Sequence, residues 1–335
     1  MNFVNSKKIF EYITANDNFV INCHMSPDLD SVASASALKQ VLNQLNKKAD
    51  IISTDKIPDS YKYLPFANEI IIKPFKDLDF KKYKCWLCVD SERLDQAGAF
   101  VKPNVDIINI DHHPQNDIKA IYSILKIDIS STCEILSLVF EDWNIEIGKE
   151  LATTLLSGIT YDSNFFQQKN TFASTHLVAG KLMNLGADNN YVNFKVKRSN
   201  SFGMIKLWGE FNKRMKIDKK HKFVWTALPY SLYSKYLENI SSTAEYSNMI
   251  ARTVTGTNFS IVMSEKEPKN LTMSIRARVP GFDVSGMARE IGGGGHKDAS
   301  GAGIKGMDFS EAVKQVLKIA RKFSNQEFVP EIPLD

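Results

Sequence analysis

Cysteine is scarce in this chain, four residues in 335, and histidine is nearly as rare at six. So few cysteines exclude a disulfide-built fold. Cys23 and Cys133 stand alone, while Cys85 and Cys88 form one CxxC inside KCWLCVD, a run that reads as a buried strand. With no second CxxC to complete a zinc site, all four read as core thiols. No apolar run is long enough to cross a bilayer, and the N-terminal MNFVNSKKIFEYITANDNF lacks the apolar core and cleavage site of a signal peptide. The expectation is a cytoplasmic protein that does not engage membranes. Internal repeats and low-complexity tracts are also missing, which excludes solenoids and disordered linkers.

What is present is an ordinary globular composition, 43% apolar and 24% charged, at a length that suits two domains. The net charge of +4 is unevenly spread. Residues 1–190 hold 19 Lys/Arg against 24 Asp/Glu, and residues 191–335 hold 23 against 14. An acidic half suits metal cations, and a basic half suits a phosphate-bearing ligand.

The first half alternates apolar runs with helical stretches. Phe19–Cys23, Ala49–Ser53, Glu69–Ile72, Cys85–Asp90 and Val105–Asp111 read as strands, several too uniformly apolar to have a solvated face. Ser31–Leu45 and Thr132–Trp143 read as helices, and Leu151–Ile159 as a further buried one. This predicts an α/β domain over 1–190, a mostly parallel sheet flanked by helices. The basic stretch 191–221 is expected as a connecting helical segment. Strand-like runs at Lys222–Ala227, Asn258–Ser264, Leu271–Ala277 and Ala302–Ile304 follow, with helices near Val284–Ile291 and from Ser310. They predict a second, smaller α+β domain over 222–335.

Three of the six histidines stand in two motifs, HMSPDLDS (His24) and IDHHP (His112, His113), each directly after a predicted strand. Asp90 ends another strand, and Asp162 follows the buried helix in GITYDS. Loops at the carboxyl ends of strands in an open α/β sheet converge on one crevice, so His24, Asp28, Asp30, Asp90, Asp111, His112 and His113 are expected to meet there. Taken singly, Asp30 or Ser31 could simply cap the helix beginning SVASASAL, and either His112 or His113 could be a turn residue. Taken together, so many carboxylates would repel one another unless divalent cations sat among them. Mixed carboxylate and imidazole donors point to Mn²⁺, with Mg²⁺ or another divalent ion as the alternative, rather than calcium or structural zinc. Two ions about 3.5–4 Å apart are suited to activating water and stabilising charge on a phosphate ester.

The second half carries Gly292-Gly293-Gly294-Gly295-His296 and then Ala299-Ser300-Gly301. One glycine is enough to cap a helix. Four suggest a backbone that comes close to something and offers its N–H groups to an anion or a base edge. Ser274-Ile275-Arg276 ends a nearby strand, and arginine suits bidentate phosphate binding.

With these residues in place, the sequence resembles the DHH phosphoesterase family, in the branch with a C-terminal DHHA1 domain. The likeness covers HMSPDLDSVAS, Asp90, Asp111-His112-His113, Asp162 and GGGGHKDASGA, nearly the whole chain. It implies that His24, Asp28 and Asp90 hold one Mn²⁺, and that Asp30, Asp90, His112 and Asp162 hold the other, with Asp90 shared. Asp111 would orient the histidines, and His113 would meet the phosphate or assist the leaving group. Arg276, Gly293, Gly294, Gly295, His296 and Ser300 would bind the substrate. Ala33 stands where the family often has glycine, a departure that touches no ligand. The resemblance further implies a homodimer acting on short oligoribonucleotides and on 3′-phosphoadenosine 5′-phosphate. Linear or cyclic dinucleotides are the alternative substrates, pyrophosphate is another, and a nucleotide-binding regulator with a vestigial core is the rival outside catalysis.

Overall fold

The computed structural model describes residues 3–198, 200–239 and 242–326. The chain divides into two units, Met1–Ser199 and Asn200–Asp335.

In the first unit, β1 (Phe19–Asn22), β2 (Ala49–Ser53), β3 (Ile71–Ile72), β4 (Cys85–Val89), β5 (Asp106–Asp111) and β6 (Tyr122–Leu125) form one sheet in the order β3-β2-β1-β4-β5-β6. Every pairing in it is parallel. All residues of β1 and β4 are buried, as expected of strands covered on both faces. The helices are α1 (Ser6–Ala15), α2 (Leu29–Gln44), α3 (Thr132–Asp142), α4 (Lys149–Asp162), α5 (Ala173–Asn184) and α6 (Asn189–Lys197). The small residues Ala33, Ala35 and Ala37 of α2 are fully buried, and α2 packs closely on α4.

The strand order places the site. The chain lays down β1, β2 and β3 in one direction, returns, and lays down β4, β5 and β6 in the other. The loops after β1 and β4 therefore part, leaving a crevice at the carboxyl ends of these two strands. Asn22 latches them together there. Its Nδ2 donates to Val89 O and Ser91 Oγ, both at 3.1 Å, while its Oδ1 accepts from Trp86 Nε1 and Val89 N–H, also at 3.1 Å.

The second unit holds α7 (Phe202–Arg214), β7 (Lys216–Asp218), β8 (Phe223–Leu228), α8 (Tyr230–Tyr233), α9 (Ser242–Met249), β9 (Phe259–Glu267), β10 (Asn270–Ala277), α10 (Ser285–Ile291), β11 (Gly294–Gly295), β12 (Ala299–Lys305) and α11 (Phe309–Phe323). Its sheet, β11-β12-β10-β9-β8-β7, is mixed, with only β8 and β9 parallel. A stack of Phe223, Phe259 and Phe282, with ring centroids 5.1 and 5.0 Å apart, anchors the core shared with α10 and α11. Met204, Leu207, Phe211 and Tyr246 build a separate cluster with Val262 of β9.

Residues 191–221 are not one connecting helix. They comprise the end of α6, then α7, whose first turn is capped by Ser201 Oγ accepting Met204 N–H at 3.1 Å, then β7. The glycine run also differs from an open loop. Gly292, at φ +95°, caps α10 in the left-handed conformation, and Gly294–Gly295 pairs with β12. A Cβ on Gly293 would lie 2.5 Å from Ala302 Cα, and one on Gly295 2.7 Å from Ala299 O. At these two positions the close approach is to the chain's own hairpin.

Candidate metal centre

Each acidic or imidazole side chain reaches the crevice from the end of an element. Asp28 caps α2, its Oδ1 accepting Ser31 N–H at 3.0 Å, so a carboxylate that faces the cluster also starts the helix. Asp30 lies two residues on, in the first turn of α2, and accepts the first free N–H groups of α3, Thr132 at 2.8 Å and Cys133 at 3.1 Å. Asp90 directly follows β4 at φ +52°, a left-handed conformation rare for a residue with a side chain, and Thr132 Oγ1 donates to it at 3.0 Å. Asp111 ends β5, and Asp162 ends α4.

These side chains form three groups in which the ligand atoms lie within 4.8 Å of one another: His24, Asp28 and Asp90; Asp30, His112 and Asp162; and Asp90, His112 and His113. His24 Nε2 is 3.5 Å from Asp28 Oδ1 and 3.6 Å from Asp90 Oδ2. His112 Nε2 is 3.6 Å from Asp90 Oδ1 and 3.4 Å from Asp162 Oδ2. Donors about 2.1 Å from a common ion lie about 3.0–3.4 Å apart, so the spacing fits a cation and is long for hydrogen bonds. The other ring nitrogen of His24 is 2.8 Å from Met25 O, which fixes the tautomer that leaves Nε2 free as a ligand. The donor set fits two divalent ions, with Asp90 and His112 common to more than one group.

Electrostatics give the same reading. Burial pushes Asp90 up to about 7, helped by the charges of Asp30 and Asp28. Burial and Asp28 push Asp30 up to about 6 against the α3 N–H groups. Asp162 is held well above the usual carboxylate range by burial and by Asp30, Asp28 and Asp90. Burial opposes charge on His24, yet the adjoining Asp28 carboxylate and the charge of Asp90 win and push it up to about 10. Burial holds His112 below its ordinary value. Without metal the cluster therefore stores protons on His24, Asp90 and Asp162, while the His24 contact holds Asp28 below the usual carboxylate range.

This makes a testable statement, because ligation requires neutral imidazole and ionised carboxylate. Loading metal-free protein with Mn²⁺ near pH 7 releases protons, and the number falls as the pH is raised past 7. Calorimetry in two buffers of different ionisation enthalpy measures it. A binding heat independent of buffer would contradict the arrangement.

His113 differs from His112. Its Nδ1 is 2.7 Å from Asp111 Oδ1, and Asp111 is fully buried. Burial disfavours charge on His113, but the Asp111 hydrogen bond and the charge of Asp90 outweigh it and push His113 up to about 9. In the metal-free cluster a proton on His113 is therefore favoured at neutral pH. Sequence reasoning missed its support. Asn116 Nδ2 donates to Asp111 Oδ2 at 2.9 Å and to Ser91 O at 3.0 Å, and Asn109 Nδ2 donates to Asn116 Oδ1 at 3.0 Å. Asn109, a lone polar residue inside DIINID, is the signal that was there to be read.

The second-unit candidates are spread. Arg276 Nε donates to Asn248 Oδ1 at 2.7 Å, and Nη1 donates to Ile275 O and Ser300 O at 3.0 and 3.2 Å. Burial and the neighbouring Arg252 lower it to about 10, and among the described residues no carboxylate is in ion-pair range. Ser260 faces Arg276 across the β9–β10 register, and Ser274 stands two residues before it. Their buried hydroxyls, with that of Ser247 of α9, have no hydrogen-bond partner. Ser300 is buried and donates to His296 O at 2.8 Å, while His296 is exposed. Of Gly293, Gly294 and Gly295, only Gly294 has open space where a side chain would go.

Comparison with known proteins gives a consistent result. Residues 18–159 match the DHH family N-terminal domain, and residues 235–326 match the DHHA1 domain. A bifunctional oligoribonuclease and PAP phosphatase NrnA from Thermus thermophilus is 25% identical over 303 residues, 90% of this chain and 89% of that one. An uncharacterized protein of Methanocaldococcus jannaschii is 31% identical over 151 residues, 45% of this chain but only 31% of that one, so the chain spans about a third of that relative. The crystal structure of an exopolyphosphatase-related protein from Bacteroides fragilis superposes with a TM-score of 0.87 at 23% identity, covering 96% of each chain. Among the described residues no helix is long and apolar enough to cross a membrane.

Proposed function

Since the chain belongs to the DHH family with a C-terminal DHHA1 domain, we propose that it is a Mn²⁺-dependent hydrolase of short oligoribonucleotides that also converts 3′-phosphoadenosine 5′-phosphate to AMP. The observation that carries this reading is the convergence of His24, Asp28, Asp30, Asp90, His112 and Asp162 on one crevice with donor spacings that fit divalent ions. The name of the Thermus thermophilus relative supports the choice of substrates.

In this reading His24, Asp28 and Asp90 hold one ion, and Asp30, Asp90, His112 and Asp162 hold the other. The bound ions supply Lewis-acid stabilisation of the charge that builds on the phosphate during attack by water. The chain's own groups do the rest. Asp111, pinned by Asn116, fixes the His113 ring through Nδ1. The Asp111 hydrogen bond favours a proton on His113, which is the group that would meet the leaving oxygen or the phosphate. In the second unit the Arg276 guanidinium, with no carboxylate in ion-pair range among the described residues, takes a phosphate, with the exposed His296 and the open backbone at Gly294 as further candidates. A vestigial regulator is disfavoured because no position in this ligand set has been lost.

A single assay panel tests the proposal: short RNA of several lengths, linear and cyclic dinucleotides, 3′-phosphoadenosine 5′-phosphate and pyrophosphate, each with Mn²⁺ and with chelator. Turnover of short RNA and of the phosphoadenosine substrate, abolished by chelation and restored by Mn²⁺, is expected. Turnover of cyclic dinucleotides or pyrophosphate alone would transfer the protein to another substrate class. No turnover at all with metal bound would end the catalytic reading.

A further inference from the structure

The residues assigned above leave a second pattern unused. It starts beside Asp162 and leads away from the metal centre along α6. The residue before Asp162 is Tyr161, whose ring is 6.1 Å from that of Tyr61, edge-on. Two residues beyond Tyr61, the Tyr63 ring meets Tyr191 of α6 at 5.6 Å, also edge-on. Lys195 Nζ lies 5.8 Å from the Tyr63 ring and 5.4 Å from the Tyr191 ring. On the other side of Asp162, the ring of Phe165 has Lys197 Nζ 4.6 Å above it. Tyr191 is 40% exposed and Phe194, one turn on, 53%. Among the described residues, Lys197 and Arg198 have no carboxylate partner, in a unit whose residues 1–190 hold 24 Asp/Glu against 19 Lys/Arg.

Aromatic faces interleaved with cations recognise single-stranded nucleic acid, since rings stack on unpaired bases and the cations follow the phosphates. We propose that α6, with the aromatic segments on either side of Asp162, is a track for the part of a single-stranded RNA that extends beyond the cleaved phosphate. The track rests on the reading of the centre as one for oligonucleotides. It deepens that reading by naming chains longer than a dinucleotide as substrates that gain affinity.

Fluorescence anisotropy tests it with labelled RNA of five nucleotides and of two, in chelator, so that no hydrolysis occurs. Wild-type protein is expected to bind the five-nucleotide RNA about tenfold more tightly than the dinucleotide. In the Lys195→Ala/Lys197→Ala/Arg198→Ala variant that advantage is lost, and the slope of log affinity against log salt becomes shallower by about 2, at about 0.7 per phosphate. Lys195→Arg/Lys197→Arg retains both. Phe194→Ala weakens the five-nucleotide complex without changing the slope.

Equal affinity for the two lengths, an unchanged slope in the triple variant, or equally tight binding of a hexaglutamate peptide would each overturn the track. If the triple variant loses its melting transition, Lys197→Ala carries the test, with a slope change of about 0.7. Binding is read without metal or turnover, so failure of the hydrolase reading would leave this result standing. Failure of the track alone would leave hydrolysis of the dinucleotide unaffected in wild-type protein.

Discussion

Replacing Asp90 with asparagine lowers kcat/KM by about a thousandfold or more, yet raises the melting temperature of the metal-free protein. Both effects come from one charge. Asparagine is among the few residues that tolerate the left-handed φ of +52° at this position, and its side-chain oxygen still accepts from Thr132 Oγ1. What disappears is the negative charge that the two proposed ions share. Without ions that same charge is opposed by burial and by Asp30 and Asp28.

The direction with pH follows. The folded value of Asp90 is raised to about 7, so its contribution to stability is complete below the ordinary carboxylate value of 3.8 and is lost as the pH rises through 7. Metal-free wild-type protein therefore melts at a lower temperature at pH 8 than at pH 5, and Asp90→Asn flattens the difference. Mn²⁺ reverses the ranking, because only the wild type gains from binding. Thermal melts at both pH values, with chelator and with Mn²⁺, measure all of this. A variant less stable than wild type in chelator at pH 8 would mean that Asp90 holds the fold rather than the metal.

The second large effect is expected at Gly158, a residue with no chemistry of its own. A Cβ there would lie 2.5 Å from Asp30 Oδ1 and would also collide with Cys133 Sγ. Neither neighbour can easily give way. Asp30 is tied to two backbone N–H groups of α3, and Cys133 is fully buried. Helix α4 must move off α3, and Asp162, one turn further on the same face, moves with it. Gly158→Ala is expected to cost about 2–3 kcal/mol of stability and to reduce bound metal from two ions to one. Denaturant titration and elemental analysis report the two quantities separately. Full occupancy at wild-type stability would show that the helices have room to spare.

How much of this could be read from the sequence depended on local signal strength. The uniformly apolar runs of β1, β2, β4 and β5 announce buried parallel strands, and the motif residues stand out because they interrupt those runs at their ends. The edge strand β6 was not legible, because Tyr122 and Ser123 are half-buried and Leu125 exposed, so no apolar run marks it. Within 191–221 the boundary between α6, ending at Lys197, and α7, beginning at Phe202, was not legible because no proline or glycine separates them in the sequence. Gly158 was invisible for a different reason. Its importance comes from Asp30, distant in sequence, and no local pattern encodes a contact across two helices.

The wide separation of the cluster residues along the chain has a consequence for persistence rather than for catalysis. The proposed ligands follow β1, β4 and β5 and lie on α2 and α4, so two ions held between them would act as a cross-link. Like a covalent staple, it closes long loops and restricts the unfolded chain. The loaded protein cannot open β1, β4 or α4 one at a time without first surrendering metal. A protease that samples such partial openings would therefore be held off by bound metal, and survival of the loaded chain would be set by how slowly the ions leave.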